Sequence, residues 1–383
     1  TISNEQLDGT IIPIGGGKDS NVTLELLKEV SKDNLAFVIG SKKVSMECAK
    51  IAGFENDRII EVKRVIDKNL IDLNQKGFLN GHTPFSAIVA FITYLCACLF
   101  GKRFIALSNE DSANESNVKG DNINHQYSKT IEFENDFREY AEKYMKSNVE
   151  YFSILRPITE LQIAYLFSKY EKYHSIFKSC NVGSKTEPWR WCCDCPKCLF
   201  VFTILAPFLY REKEIKIFGN DMFENKELLN TFIELCGYGE TKPFECVGTY
   251  EEVNFAVSKT IESLLDKGIN IDEQDNFGQT AFHYACFTTS AALLTLLLTK
   301  NPNIYIKDIK GNYGTKYLQT LESNCGLGGL CSCGSNLPFD HRAIIVAVGL
   351  RRVCGHILQT RGGTPAGQSD FHAYGQSVLQ LCF

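Results

Sequence analysis

The sequence predicts an α/β fold: a parallel sheet with helices on both faces, followed by a short all-α segment. Three observations predict it. Apolar runs of four or five residues alternate with helical patterns through roughly the first 250 residues. Those runs are apolar throughout rather than alternating, as in strands buried on both faces. Past residue 255 the short runs give way to a longer helical repeat.

Each element can be justified in order. Ile11–Ile14 is the first strand, followed by Gly15-Gly16-Gly17 and a helical pattern through Val22, Leu24, Leu26, Leu27 and Val30. Leu35–Ile39 is the second strand and stops at Gly40. A helix over Ser45–Ala52 leads to a third strand at Arg58–Val62. Phe85–Phe100 is a run of 16 residues without a charge. It falls short of the ~20 residues that cross a bilayer. Thr83 offers an N-cap, Pro84 suits the first turn, and Gly101 can stop the helix. A buried core helix is expected, and no membrane span. Phe104–Leu107 is the fourth strand.

Composition bounds the function classes. A chain of 383 residues suggests two or three domains. With 44% hydrophobic and 22% charged residues, it is neither disordered nor collagen-like. The net charge of −5 gives no basic footprint, so no nucleic-acid partner is expected. Thr1 is not an initiator Met, which suggests a processed chain or a fragment, and the first 30 residues lack the features of a signal peptide. The 16 cysteines of so long a chain suit a reducing cytoplasm better than a disulfide scaffold.

Three groups of residues carry chemistry. In the first, Gly15, Gly16, Gly17, Lys18, Asp19 and Ser20 stand between a strand and a helix. Backbone N–H groups there can wrap a phosphate chain at the positive end of the helix. Lys18 adds charge, Ser20 a hydroxyl, and Asp19 can hold Mg²⁺ or orient the loop. The loop is expected to be exposed, so replacing Lys18 or Asp19 should spare the fold. The spacing matches neither Gly-x-x-x-x-Gly-Lys-Ser nor Gly-x-Gly-x-x-Gly.

In the second group, Cys180, Cys192, Cys195 and Cys198 supply four thiolates at a spacing that suits a closed structural Zn²⁺ site. Cys193 is out of frame. A redox pair, unrelated buried thiols and an iron–sulfur cluster are the alternatives. The third group follows the fourth strand: Asn109, Glu110 and Asp111, then His125, Tyr127 and Lys129. Ligands of open parallel sheets bind beyond the carboxyl ends of strands. Acids there can meet ATP-bound Mg²⁺ or an amino-acid substrate, and the basic and phenolic groups can move protons or bind a carboxylate. A solvated acidic turn is the plainer alternative.

The Gly15–Ser20 segment resembles the pyrophosphate loop of the PP-loop ATP pyrophosphatases, with Gly15 where that family has Ser. The resemblance implies an adenine nucleotide alpha hydrolase-like sheet and cleavage of ATP between its α and β phosphates. It narrows with Gly81–Ser86, Ser108–Glu115, Asn124–Lys129, Leu155-Arg156-Pro157, Glu160–Ala164, Ser179–Ser184, Trp191–Phe200 and Lys242–Thr249. In this order they resemble the ATP-dependent epimerases that act on UDP-N-acetylmuramoyl-L-alanyl-L-glutamate in peptidoglycan precursor synthesis. The resemblance covers residues 1–250. It implies that the terminal glutamate carboxylate is adenylated. Adenylation removes the negative charge that makes the α-hydrogen scarcely acidic, and return of a proton from the other face inverts the centre. AMP and pyrophosphate are the products.

On this reading Lys18 and the glycines serve ATP, while Asn109, Asp111, Lys129 and Arg156 serve the substrate. His125, Tyr127 and Glu110 are the proton-transfer candidates, in that order. Another PP-loop adenylating enzyme, of the nucleobase-amidating or tRNA-modifying type, is the runner-up. A degenerate PP-loop module used for protein binding is the third reading.

Residues 255–320 resemble ankyrin repeats. Gly278 and Gly311 are 33 residues apart, which is the ankyrin period, and one full and two partial repeats can be traced. Thr280 is expected to cap a helix and His283 to bond back to the turn. A protein partner is implied for this segment. Residues 321–383 show little periodicity beyond Ala343–Leu350 and are assigned no function.

Overall fold

The computed structural model describes residues 7–40, 43–78, 84–116, 124, 126–180, 182–183, 190–237, 241–266, 270–274, 278–288, 294, 297–298 and 301–316. The expected feature at Ala343–Leu350 lies outside them. The chain divides into unit 1, Thr1–Ser263, and unit 2, Leu264–Phe383.

Unit 1 is built on five parallel strands: β1 (Thr10–Pro13), β2 (Leu35–Ile39), β3 (Ile59–Val62), β4 (Phe104–Leu107) and β5 (Glu150–Ser153). Their order is β3-β2-β1-β4-β5. Ile11 lies opposite Leu35 on one side and Ile105 on the other. The chain steps outward from β1 to β3, then crosses back to begin again at β4. The strand order therefore reverses between β1 and β4, where such sheets open a crevice at their carboxyl ends.

The helices of unit 1 are α1 (Lys18–Leu27), α2 (Lys43–Ile51), α3 (Lys68–Gln75), α4 (Phe85–Leu99), α5 (Ile131–Tyr140), α6 (Glu160–Lys169), α7 (Pro196–Leu205), α8 (Arg211–Phe218) and α9 (Leu229–Leu235), with α10 (Tyr250–Asp266) beginning in it. Side chains alternate along each strand, so neighbouring residues enter different cores. Ile12, Ala36, Val38 and Ala106 pack with α1, α2, α6 and α7. Ile11, Phe37, Ile105 and Leu107 pack with α4 and α5. Full burial of one such side chain contributes about 1.5–3 kcal/mol.

Two differences from the sequence reading are instructive. First, β5 is a strand that no apolar run announces. It lies at the sheet edge, and Glu150 is exposed while Tyr151 and Ser153 are buried. Second, α4 is not the buried core helix expected over Phe85–Phe100. Val89, Ala90, Thr93, Tyr94 and Ala97 face the sheet, but Leu95 is 59% and Leu99 72% exposed. The helix is apolar all round, yet the sheet covers one side of it only. Gly101, at φ +63°, stops it as expected. Pro84 directly precedes its first turn, and Thr83 lies outside the described residues. No helix among the described residues is long and apolar enough to cross a membrane.

Unit 2 contains α11 (Ala281–Thr288). His283 Nδ1 accepts from the Thr280 backbone N–H at 3.1 Å, the return bond expected from the sequence. Gly278 and Gly311 both adopt positive φ, +70° and +76°. Asp308 Oδ1 accepts from the N–H groups of Lys310 and Asn312, which closes the second turn.

Candidate active site and metal centre

A cleft of about 410 Å³ opens at the carboxyl ends of β1, β2 and β4. Its glycine-rich wall is set by backbone needs. Gly16 sits at φ +86°, and a Cβ there would stand 2.7 Å from Val44 Cγ1. A Cβ on Gly17 would approach Ser179 Oγ to 2.6 Å, whereas one on Gly15 would meet nothing within 4 Å. Ser20 Oγ accepts from the Gly16 N–H at 3.1 Å and donates to the Gly17 carbonyl at 3.0 Å, so the hydroxyl pins the turn. Gly15, Gly17, Asp19 and Ser20 line the cleft.

Lys18 does not lie exposed, contrary to the sequence reading. It is 1% exposed, and its ammonium pairs with Asp19 and Glu160. Burial works against its charge, but those two carboxylates hold it well above the usual lysine range. Burial also pushes Glu160 up, aided by Asp19 and Glu110 and opposed by Lys18. Burial alone would raise Asp19, yet Lys18, Lys197 and Lys129 keep it below its usual value. Lys18 is thus the buried centre of an ion cluster.

Asn109, Glu110 and Lys129 also line the cleft. Asn109 Nδ2 donates to Ser153 Oγ at 3.2 Å, and Glu110 accepts from the Ser112 N–H. Burial, with Asp19 nearby, raises Glu110 above the usual carboxyl range. Lys129 Nζ lies 2.8 Å from Cys246 Sγ.

Other sequence candidates fall elsewhere. Tyr127 is 44% exposed and donates to Asp136, away from the cleft. Asp111 accepts from Asn114 Nδ2 at 2.9 Å on the surface. His125 lies outside the described residues. Arg156 does not line the cleft. Its guanidinium donates to the carbonyls of Glu110 (2.6 Å) and Lys129 (2.8 Å) and pairs with Glu134 at 3.2 Å. It braces the two segments that carry cleft residues. Arg156→Lys, with one ammonium in place of a fork, should lose part of this and cost about 1.5–3 kcal/mol. Urea unfolding checks this, and an unchanged midpoint would contradict the bracing role.

Glu160, Lys178, Ser179, Lys197 and Cys246 line the cleft as well, though the sequence reading gave none of them a role. Lys178 and Lys197 stand within two residues of the cysteine cluster, and Lys197 also falls in the Trp191–Phe200 stretch of the resemblance.

Cys180, Cys192, Cys195 and Cys198 converge, with all four Sγ atoms within 4.8 Å of one another. Cys192 Sγ and Cys198 Sγ are 3.5 Å apart. A zinc–sulfur bond of about 2.3 Å implies a tetrahedral edge of about 3.8 Å, so the donor set can hold a metal such as zinc. Gly183 N–H donates to Cys180 Sγ at 3.0 Å, and a Cβ at Gly183 would collide with the Arg190 carbonyl. Cys193 points elsewhere, with its thiol 3.3 Å from the Phe218 carbonyl.

Comparison with known proteins agrees with this architecture. Residues 2–154 match the MurL N-terminal domain, and residues 176–268 the MurL C-terminal domain. Residues 258–298 match ankyrin repeats. A relative from a Micromonospora species, named UDP-N-acetyl-alpha-D-muramoyl-L-alanyl-L-glutamate epimerase, is 39% identical over 253 residues, 65% of this chain and 56% of that protein. Proteins of the same name from Salinispora tropica and Xanthomonas oryzae pv. oryzae are 41% and 35% identical, over 64% and 65% of this chain and 54% and 56% of their own lengths. The chain thus spans about half the length of these curated relatives. Both MurL domains are thus matched in order, at residues 2–154 and 176–268 of this chain.

Proposed function

We propose that the chain acts as an ATP-dependent epimerase, inverting the terminal L-glutamate of UDP-N-acetylmuramoyl-L-alanyl-L-glutamate through a carboxyl-adenylate. The observation that carries this reading is the cleft itself. A glycine-rich helix entry, three lysines and three carboxylates converge at the reversal of strand order.

The residues present fit an adenine nucleotide. Phe37, Ile39, Phe85 and Val89 give the cleft an apolar wall suited to a purine. Gly15, Gly17 and the first turn of α1 suit phosphates, and Lys178 and Lys197 suit their charge. Asp19, held ionised by its lysine neighbours, suits Mg²⁺. The glutamate carboxylate attacks the α-phosphate, pyrophosphate leaves, and the acyl-adenylate carries no carboxylate charge. Its α-proton can then be removed and returned from the opposite face, after which hydrolysis releases AMP. Among the cleft residues, Glu110 and Lys129 can exchange protons at that carbon.

Incubation with ATP and the muropeptide in deuterium oxide tests the proposal. AMP, pyrophosphate and deuterium at the glutamate α-carbon are expected. Glutamate alone should be a poor substrate, because the sugar nucleotide supplies remote binding energy. AMP without deuterium would reject epimerisation in favour of a ligase-type adenylating enzyme. The absence of AMP would favour a binding module.

A further inference from the structure

We propose that Cys246 is a proton-transfer residue of this cleft, a thiolate held by Lys129 that removes the α-hydrogen. The proposal rests on the epimerase reading and deepens it.

Cys246 is half-buried and lines the same cleft as Asp19, Glu110, Lys129 and Glu160. Its surroundings set it apart from the fully buried thiols. Burial pushes Cys48 and Cys236 up to about 12, so neither offers a thiolate near neutral pH. Cys246 Sγ instead lies 2.8 Å from the Lys129 ammonium. An adjacent ammonium favours the thiolate, the form that accepts protons.

The backbone around Cys246 is held from several sides. Its carbonyl accepts from the Lys197 ammonium. Val247 is 1% exposed, and Glu252 accepts from both the N–H and the hydroxyl of Thr249. A Cβ on Gly248 would stand 2.9 Å from the Phe200 ring. The sulfur therefore projects from a fixed turn, as a group that must meet one carbon–hydrogen bond requires.

The step balances. The thiolate takes the α-proton and becomes a thiol, and the C–H electron pair moves into the adenylated carboxyl as an enolate. Glu110, whose carboxyl is raised by its burial and by Asp19, returns a proton to the other face and becomes a carboxylate. Proton exchange with solvent restores both groups.

Two measurements on the intact protein test this. The first is the ratio of α-deuterium incorporated to AMP formed, in the parent and in Cys246→Ser. Loss of a general base costs about 10²–10⁴-fold, so the ratio should fall at least about 100-fold. The second is the rate of iodoacetamide alkylation at each cysteine near neutral pH, read by peptide mass spectrometry. Cys246 should react faster than Cys98, the other half-buried cysteine outside the metal cluster among the described residues, and Lys129→Met should slow it several-fold. A preserved ratio in Cys246→Ser overturns the proposal and leaves the epimerase reading standing. So does alkylation of Cys246 that is ordinary in rate and indifferent to Lys129→Met. A parent protein that forms AMP without deuterium overturns both.

Discussion

Cys195→Ser should purify without its metal and melt far below the parent, while Cys193→Ser should keep one metal per chain. The two residues are only two positions apart in sequence, so the contrast isolates geometry. Cys195 Sγ belongs to the four-sulfur cluster; Cys193 Sγ faces the Phe218 carbonyl instead. A four-thiolate site is closed, so its metal contributes folding energy rather than an open coordination position. Apparent zinc-binding energies of about 10–16 kcal/mol in small domains set the scale of the effect. The cluster also adjoins an aromatic core: Trp191 meets Phe177 edge-on and Phe218 at a tilt, with ring centroids 5.1 and 4.6 Å apart. Loss of the metal should therefore loosen the turns bearing Lys178 and Lys197 and weaken nucleotide binding. Metal analysis and thermal melts decide; equal metal in the two variants would sink the assignment.

Lys18→Met should destabilise unit 1 by about 3–5 kcal/mol, the usual loss when one partner of a buried ion pair is removed. The loss arises because Glu160, 2% exposed, would stay buried without its ammonium partner and would have to take up a proton. The double variant Lys18→Met/Glu160→Met should recover most of that stability, since two apolar side chains of similar volume replace the pair. Urea midpoints measure both. A single variant as stable as the parent would mean that Lys18 is not buried against Glu160. The double variant should still fail to turn ATP over, which separates folding from chemistry.

The legible part of this molecule is what local sequence encodes. Ile11–Ile14, Leu35–Ile39 and Phe104–Leu107 are apolar because β1, β2 and β4 have helices on both faces. The glycines are visible because Gly16 needs positive φ. The cysteine spacing is visible because three of the four sulfurs come from one turn and the start of α7. What escaped depends on distant partners. Lys18 reads as a solvated charge until Glu160 is placed against it. Arg156 reads as a substrate ligand until its two carbonyl partners are known. Tyr127 stands beside the cleft residue Lys129 in sequence, yet it turns outward to Asp136. Cys246 falls in the Lys242–Thr249 stretch of the resemblance but was given no role there, and its meaning comes from Lys129, 117 residues earlier.

The wide separation of Lys18 from Glu160 bears on how the chain matures during synthesis. The two residues lie 142 positions apart. At about 5–20 residues per second, the ribosome needs roughly 7–30 s to deliver the carboxylate after the lysine has appeared. Until then β1 and α1 cannot bury that charge, and α6, which carries Glu160, does not yet exist to cover them. The emerging N-terminal half should stay open and exposed to chaperones throughout this interval, then close late as one piece when α6 and the thiol-bearing turn arrive. Nascent chains halted before residue 160 should accordingly be far more sensitive to protease than chains halted after residue 260.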